Sequence, residues 1–386
     1  MGLFSRNTEA AAPAGDGTSS RHHHHRRSSA SNGHPEKHRR VFGRHMNERP
    51  TFGEWLRTIW LDILTMACLG AVGLGVYMAP PAPSRSFPVY FQDGEIVYPQ
   101  FAYPLRKNII PIWLAAFLAF FIPLVFFALF QIRVRSFWDF NAAVVGLLYS
   151  LINAAVFQVF LKWLIGGLRP HFLAVCKPNL PDVGMNTGNG LRQIMYDRSI
   201  CTGDEKEIND SLESFPSGHS TAAFAGFIFL YLYFNAKLKV FSNYHGAMWK
   251  QTLLYAPVLG AVLIAGSLTI DEYHHYYDVI AGAIIGTMFA FSSFRMVYAS
   301  VWDFRFNHIP LPRGSGTMGF SYTDSDEMRS FHDAIATRKA GWGTLGGGLT
   351  GAPFDATSAA VDMGDLVGGS GRGARMSGRR RGDDVV

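Results

Sequence analysis

The stretch SLTIDEYHHYYD, residues 267–278, places Asp271, Glu272, His274, His275 and Asp278 between two apolar runs, 253–265 and 279–291. Ionisable groups at membrane depth are costly and usually functional. His274 and Asp278 are spaced i, i+4, so on a helix they meet on one face. A carboxylate on one imidazole nitrogen fixes the tautomer and leaves the other nitrogen free to attack. The same pair could also do no more than cap the next helix. A second stretch, FPSGHS at 215–220, opens another apolar run with a turn signal. There Ser217 can cap a helix whose first N–H groups suit an anion, and His219 falls in its first turn. An ordinary capped helix with an incidental histidine would look the same. A third stretch, KWLIGGLRPHF at 162–172, ends a further apolar run. Lys162 and Arg169 would share one face of a continuous helix, although Gly166, Gly167 and Pro170 suggest that the helix loosens and ends here. Two cations snorkelling at a membrane boundary are the plainer account of this stretch alone.

Taken together, the three stretches hold the parts of a phosphoryl-transfer site. Lys162, Arg169 and the first N–H groups of the helix capped by Ser217 would bind phosphate and stabilise the charge that develops on its oxygens. One histidine would attack phosphorus and the other protonate the leaving oxygen, after which water releases phosphate from a phosphohistidine. The scheme needs no metal and no cofactor, and the chain has neither a P-loop nor the His/Cys spacings of a zinc site.

Such a site needs elements that bring the stretches to one face. The chain has 386 residues, 48% of them hydrophobic, and the apolar ones cluster between about 58 and 301. Six stretches have the length of about 20 residues needed to cross a bilayer. They lie near 59–79, 109–131, 138–163, 219–236, 252–270 and 277–301. Pro123, within the second, is tolerable in a membrane helix. The fold class expected is therefore all-α: a six-transmembrane helical bundle over 55–305, with the site at one membrane face. Residues 1–50 and 306–386 are polar or Gly-rich, lack apolar periodicity, and are expected to be disordered tails. The four-histidine run at 22–25 could bind metal, but a polar tail accounts for it. The first apolar run follows a long polar stretch, unlike a signal peptide, and Arg6 breaks the myristoylation pattern.

Basic residues ahead of the first run, Lys37 to Arg57, argue for a cytosolic N-terminus, and six spans return the C-terminus to the same side. The short loops 132–137 (Arg133, Arg135) and 237–251 (Lys237, Lys239, Lys250) agree, whereas Arg106 and Lys107 count against the rule. The active site would then be lumenal or extracellular. Cys176 and Cys201 share the long outer loop and could pair in an oxidising compartment, although sequence gives no distance between them. Cys68 reads as a small apolar side chain. Asn209-Asp210-Ser211 is a glycosylation sequon in the same loop. No nucleic-acid module is evident; the basic residues suit membrane lipids. Nothing in the sequence sets an organelle or an oligomeric state.

The three stretches resemble the type 2 phosphatidic acid phosphatase (PAP2) family, the membrane lipid phosphate phosphatases related to vanadium haloperoxidases. The family pattern Lys-x6-Arg-Pro matches Lys162 through Pro170, Pro-Ser-Gly-His matches 216–219, and Ser-Arg-x5-His-x3-Asp aligns with Ser267, His274 and Asp278. The resemblance implies that Lys162, Arg169, Ser217 and Gly218 bind phosphate. It further implies that His219 is the acid, His274 the nucleophile, and Asp278 the group that orients and charges it. It implies a metal-independent hydrolase of phosphatidate, lysophosphatidate, diacylglycerol pyrophosphate or sphingoid phosphates. One position departs: Leu268 stands where the third pattern has Arg. Arg192 or Arg198 could fold back from the long loop to replace that cation. Two other readings stay open, a weak or silent protein that keeps the fold for lipid binding or scaffolding, and a transferase that passes a phosphorylated head group between lipids.

Overall fold

The computed structural model describes residues 49–80, 86–91, 94–180 and 187–311. Apart from Arg49, Pro50 and 306–311, the expected tails lie outside the described residues, as does the four-histidine run. The described chain forms α1 (Phe52–Tyr77), α2 (Ile112–Val134), α3 (Phe137–Leu164), α4 (Phe172–Cys176), α5 (Glu205–Ser211), α6 (Gly218–Leu238), α7 (Met248–Ile270) and α8 (Tyr276–Val297). All but the short α4 and α5 are long and apolar enough to cross a membrane, which gives six spans. The expected fold class holds. The boundaries differ where local chemistry intervenes. Helix α1 begins at Phe52, not 59, because Thr51 and Glu54 form a reciprocal capping box. Helix α8 ends at Val297, not 301, because Tyr298 turns extended and bridges to Pro310.

Helix α6 is the axis of the bundle. It packs against α2, α3, α7 and α8, and every residue from Ala225 to Leu238 is buried. Helix α1 packs chiefly on α3 and leaves Trp60, Leu64 and Leu74 exposed, as a lipid-facing helix would. Helices α6 and α8 approach closely because α8 carries glycine at the crossing. A Cβ on Gly282 would fall 2.6 Å from the Ser217 carbonyl oxygen, and one on Gly286 would fall 2.5 Å from that of Thr221.

Two of the loop lysines are not solvent-facing charges. Lys237 is fully buried, with Nζ 2.5 Å from Asp139 Oδ1, while the Tyr233 hydroxyl donates to Asp139 Oδ2 at 3.1 Å. Lys239 Nζ lies within 2.5–2.8 Å of the Phe304 carbonyl, Asn307 Oδ1 and His308 Nδ1. Buried cations persist only with such compensation. The cluster ties the segment after α8 to one end of α6.

At the other end, the α1–α2 and α3–α6 connections build a small outer layer. Strand β1 (Phe87–Pro88) pairs antiparallel with β2 (Met195–Tyr196), a short sheet that the sequence pattern does not signal. Phe87, Val89, Phe172, Val175, Tyr196 and Leu212 form an apolar cluster beneath it. Cys176 and Cys201 are disulfide-bonded, with Cα atoms 4.5 Å apart.

Candidate active site

Helix α3 ends at Leu164, two residues beyond Lys162, and Gly166 and Gly167 take positive φ (54° and 122°) to reverse the chain. Lys162 and Arg169 are therefore not on one continuous helix face. Backbone bonds to the C-terminal end of α5 bring Arg169 back instead: Gly167 N–H donates to Leu212 O and Arg169 N–H to Ser211 O, each at 2.9 Å. Arg169 is 5% exposed, its Nη2 donates to Asp210 Oδ1 at 2.7 Å, and its guanidinium lies 5.3 Å over the Tyr273 ring. Its buried Nε–H has no hydrogen-bond partner among the described residues, so the cation keeps a donor for an anion.

Ser217 caps α6, accepting from Ser220 N–H, and its own N–H donates to the Asp278 carbonyl at 3.1 Å. Gly218 opens the helix with Gln158 alongside. His219 is 7% exposed, and its Nε2 lies 3.0 Å from the Ile110 carbonyl. A carbonyl only accepts, so Nε2 carries the proton. His274 and Asp278 are both buried. The turn 271–275 precedes α8, so His274 approaches Asp278 from outside the helix rather than along its face. Its Nδ1 is 3.6 Å from Asp278 Oδ2, beyond hydrogen-bond reach. Burial chiefly lowers the His274 pKa, to about 3; Asp278 opposes this, while Arg169 and Lys162 add to it. The imidazole is therefore neutral near pH 7 and able to act as a nucleophile, and a phosphate dianion between the two cations would offset their pull.

All seven candidate residues thus gather at one end of the bundle, where Lys162 and Arg169 act electrostatically on both His219 and His274. Arg192 and Arg198 do not join them: Arg192 lies exposed in a turn, and Arg198 pairs with Glu205 at 3.4 Å. Leu268 is fully buried in the last turn of α7, and its carbonyl accepts the N–H groups of Tyr273 and His274, each at 3.2 Å. Its backbone positions the histidine even though its side chain carries no charge.

Sequence reasoning missed four residues. Asp210 pairs with Arg169, and Ser214 bonds to Asp278. Glu213 has its carboxyl pKa raised by burial against the pull of Lys162. Ile110 comes from the α1–α2 connection, whose Ile109 N–H also bonds to Asp271. Their partners lie up to 109 residues away, so no local spacing signals them. Ser214, two residues before Pro216 of the Pro-Ser-Gly-His stretch, was the one within sight.

The PAP2 superfamily profile matches residues 143–302. The chain is 35% identical over 254 residues to a PA-phosphatase related-family protein of Dictyostelium discoideum, covering 65% of this chain and 72% of that protein. It is 33% identical to Lipid phosphate phosphatase 1 of Arabidopsis thaliana, covering 61% and 67%. It is also 33% identical to Diacylglycerol pyrophosphate phosphatase 1 of Saccharomyces cerevisiae, covering 44% and 54%. No solved structure matches it.

Proposed function

The chain belongs to the PAP2 superfamily, and from that premise we propose that it is an integral-membrane lipid phosphate phosphatase working through a phosphohistidine. The observation that carries this reading is the convergence of a neutral His274 beside Asp278, a second histidine, two cations and the N-terminus of α6. Lys162, Arg169, Ser217 and Gly218 hold the phosphate. His274 Nε2, the nitrogen turned from Asp278, attacks phosphorus. The bond from phosphorus to the lipid oxygen breaks, and His219, protonated on both nitrogens once the bound phosphate offsets Lys162 and Arg169, supplies the proton that oxygen needs when Nε2 leaves the Ile110 carbonyl. Water then adds to phosphorus and passes its proton to His219, the P–N bond breaks, and phosphate leaves. Phosphatidate, diacylglycerol pyrophosphate and related lipid phosphates are the substrates that the names of the relatives favour.

The catalysis we propose is metal-independent, because three of the nearby carboxylates already have donors. Asp210 holds Arg169, Asp271 accepts from Ile109 N–H, and Asp278 accepts from Ser214 and His275 N–H. We place the site on the lumenal or extracellular side, in an endomembrane or the plasma membrane. The disulfide at the site end favours an oxidising compartment, and the basic flank of α1 favours a cytosolic opposite end. The domain we assign runs over 55–305, between two tails. A second reading, a weak or silent member, is favoured by one observation: Leu268 is buried where a cation is expected, and neither loop arginine replaces it. Phosphate release from a panel of lipid phosphates in detergent, with EDTA, tests both. Turnover that persists supports the first reading. Turnover that requires added magnesium refutes metal independence, and none under any condition supports the second.

A further inference from the structure

Asp278 is wholly buried, yet its two oxygens are used unequally. Oδ2 accepts from Ser214 Oγ–H at 2.5 Å and from His275 N–H at 3.0 Å, and it is also the oxygen 3.6 Å from His274 Nδ1. Oδ1 has no hydrogen-bond partner among the described residues, nor has His274 Nδ1. An aspartate χ2 rotor is soft, so something must decide which oxygen faces the imidazole. The His275 N–H is fixed by the start of α8, and Ser214 supplies the only side-chain donor to this carboxylate among the described residues. Ser214 is itself 1% exposed, and its N–H donates to the Gly167 carbonyl at 3.0 Å, in the reversal between Lys162 and Arg169. One residue thus joins the phosphate-binding turn to the histidine–aspartate pair through two short bonds.

We propose that Ser214 is a positioning residue for the hydrolysis, locking the Asp278 carboxylate and setting how strongly it charges His274. The inference rests on the function proposed above. A donor on Oδ2 stabilises the carboxylate and draws off part of its basicity. Removing that donor leaves a stronger acceptor for His274 Nδ1–H, which favours the imidazolium. It also frees the carboxylate to turn away from the attack geometry. The other charges acting on His274 are Arg169, from the connection after α3, and Lys162, from α3 itself; both oppose imidazolium formation and stay unchanged.

The test compares Ser214→Ala, Ser214→Cys and Ser214→Thr with the wild type in detergent, using a soluble short-chain phosphatidate. In parallel, the titration of the His274 ring is followed by NMR of histidine-labelled protein. Loss of the donor is expected to lower kcat about 10-fold, the scale of one hydrogen bond to a charged group, with KM little changed. Threonine should restore most of the rate, and cysteine, a weak donor of similar volume that keeps the fold if alanine does not, should fall between. The His274 titration should move to higher pH in the alanine and cysteine variants and stay in place with threonine. Wild-type kcat and an unmoved His274 titration in Ser214→Ala or Ser214→Cys would overturn the proposal, as would a threonine variant as impaired as alanine. A moved titration in a protein that releases no phosphate would uphold the positioning role and refute the phosphatase reading instead.

Discussion

Leu268→Arg is the substitution that tests what this site lacks. Position 268 is in the last turn of α7, fully buried, and its carbonyl already fixes the His274 backbone. Among the described residues, only Lys162 and Arg169 act as cations on both histidines, and Arg198 is committed to Glu205. A positioned donor to a developing oxyanion is worth about 10²–10³ in rate. Against this stand two costs. Forcing a longer side chain into a filled position costs about 1–3 kcal/mol of stability. A third cation also depresses the His274 basicity further, which weakens the nucleophile. The net expectation is a gain of about 10- to 100-fold in kcat/KM, about tenfold below the range for one donor because of these costs. Inorganic phosphate should inhibit more tightly as well, since the new contact serves bound phosphate too. Phosphate release is measured in detergent and normalised to folded protein by thermal unfolding. Leu268→Met, a volume-conserving neutral change, controls for repacking and should leave the rate near wild type. A folded Leu268→Arg protein that is no faster and binds phosphate no more tightly would show that position 268 does not face the phosphate.

Three further outcomes are expected. His274→Ala should abolish turnover, and His219→Ala should slow substrates with basic leaving oxygens more than those with acidic ones; equal losses across a leaving-group series would remove the acid role. Breaking the Cys176–Cys201 bond, which spans 25 residues, should lower stability by about 3–4 kcal/mol on chain entropy and loosen the layer that seats Arg169; an unchanged unfolding midpoint and phosphate affinity in a double serine variant would contradict this. The third concerns pH. The folded His274 pKa, about 3, lies below its unfolded value of about 6.5, so the unfolded chain binds more protons in that window. Stability should therefore be full above the unfolded value and fall with acidification, by about 3 kcal/mol between pH 7 and 4. His274→Gln should flatten that slope, and an identical slope in the variant would mean that other groups carry it.

The spans, the cap at Ser217 and the three chemical stretches were legible because each is a local pattern. Apolar length and a Pro-Ser-Gly turn are read within a few residues, whereas His274 meets Asp278 across the start of α8 and not along a helix face. The failures arise where the chain leaves local order. Lys162 and Arg169 share no helix face, since two glycines reverse the chain between them and the C-terminal end of α5 supplies the bonds that return it. Asp210, Ser214 and Ile110 reach the site through long connections, so their roles follow from tertiary pairing and not from spacing. Lys237 and Lys239 count as loop charges by position, yet both are buried, because Asp139 and the residues after α8 supply acceptors that sequence cannot assign to them.

That buried cluster bears on the site at the far end of the same helix. The N-terminus of α6 presents Ser217, Gly218 and His219, and the C-terminal turn carries Lys237, held on Asp139. Between them the helix is enclosed by α2, α3, α7 and α8. A phosphate site built from N–H groups works only if those groups are held in place before the charge develops, since reorganising them would cost part of the stabilisation. The burial of α6 meets that requirement, and the close crossing at Gly282 and Gly286 extends it to α8, which carries Asp278. The movement that the proposed chemistry needs is then confined to few groups. In the mechanism we propose, His219 leaves the Ile110 carbonyl and His274 closes the 3.6 Å to its carboxylate. Arg169 approaches from a loop but is fixed by the Asp210 carboxylate, by a backbone bond to Ser211 at the end of α5 and by the disulfide-tied layer beneath. Rigid anion binding beside two adjustable histidines is the division of labour that a two-step displacement at phosphorus requires, because the same phosphate pocket must serve both the attack by imidazole and the later attack by water.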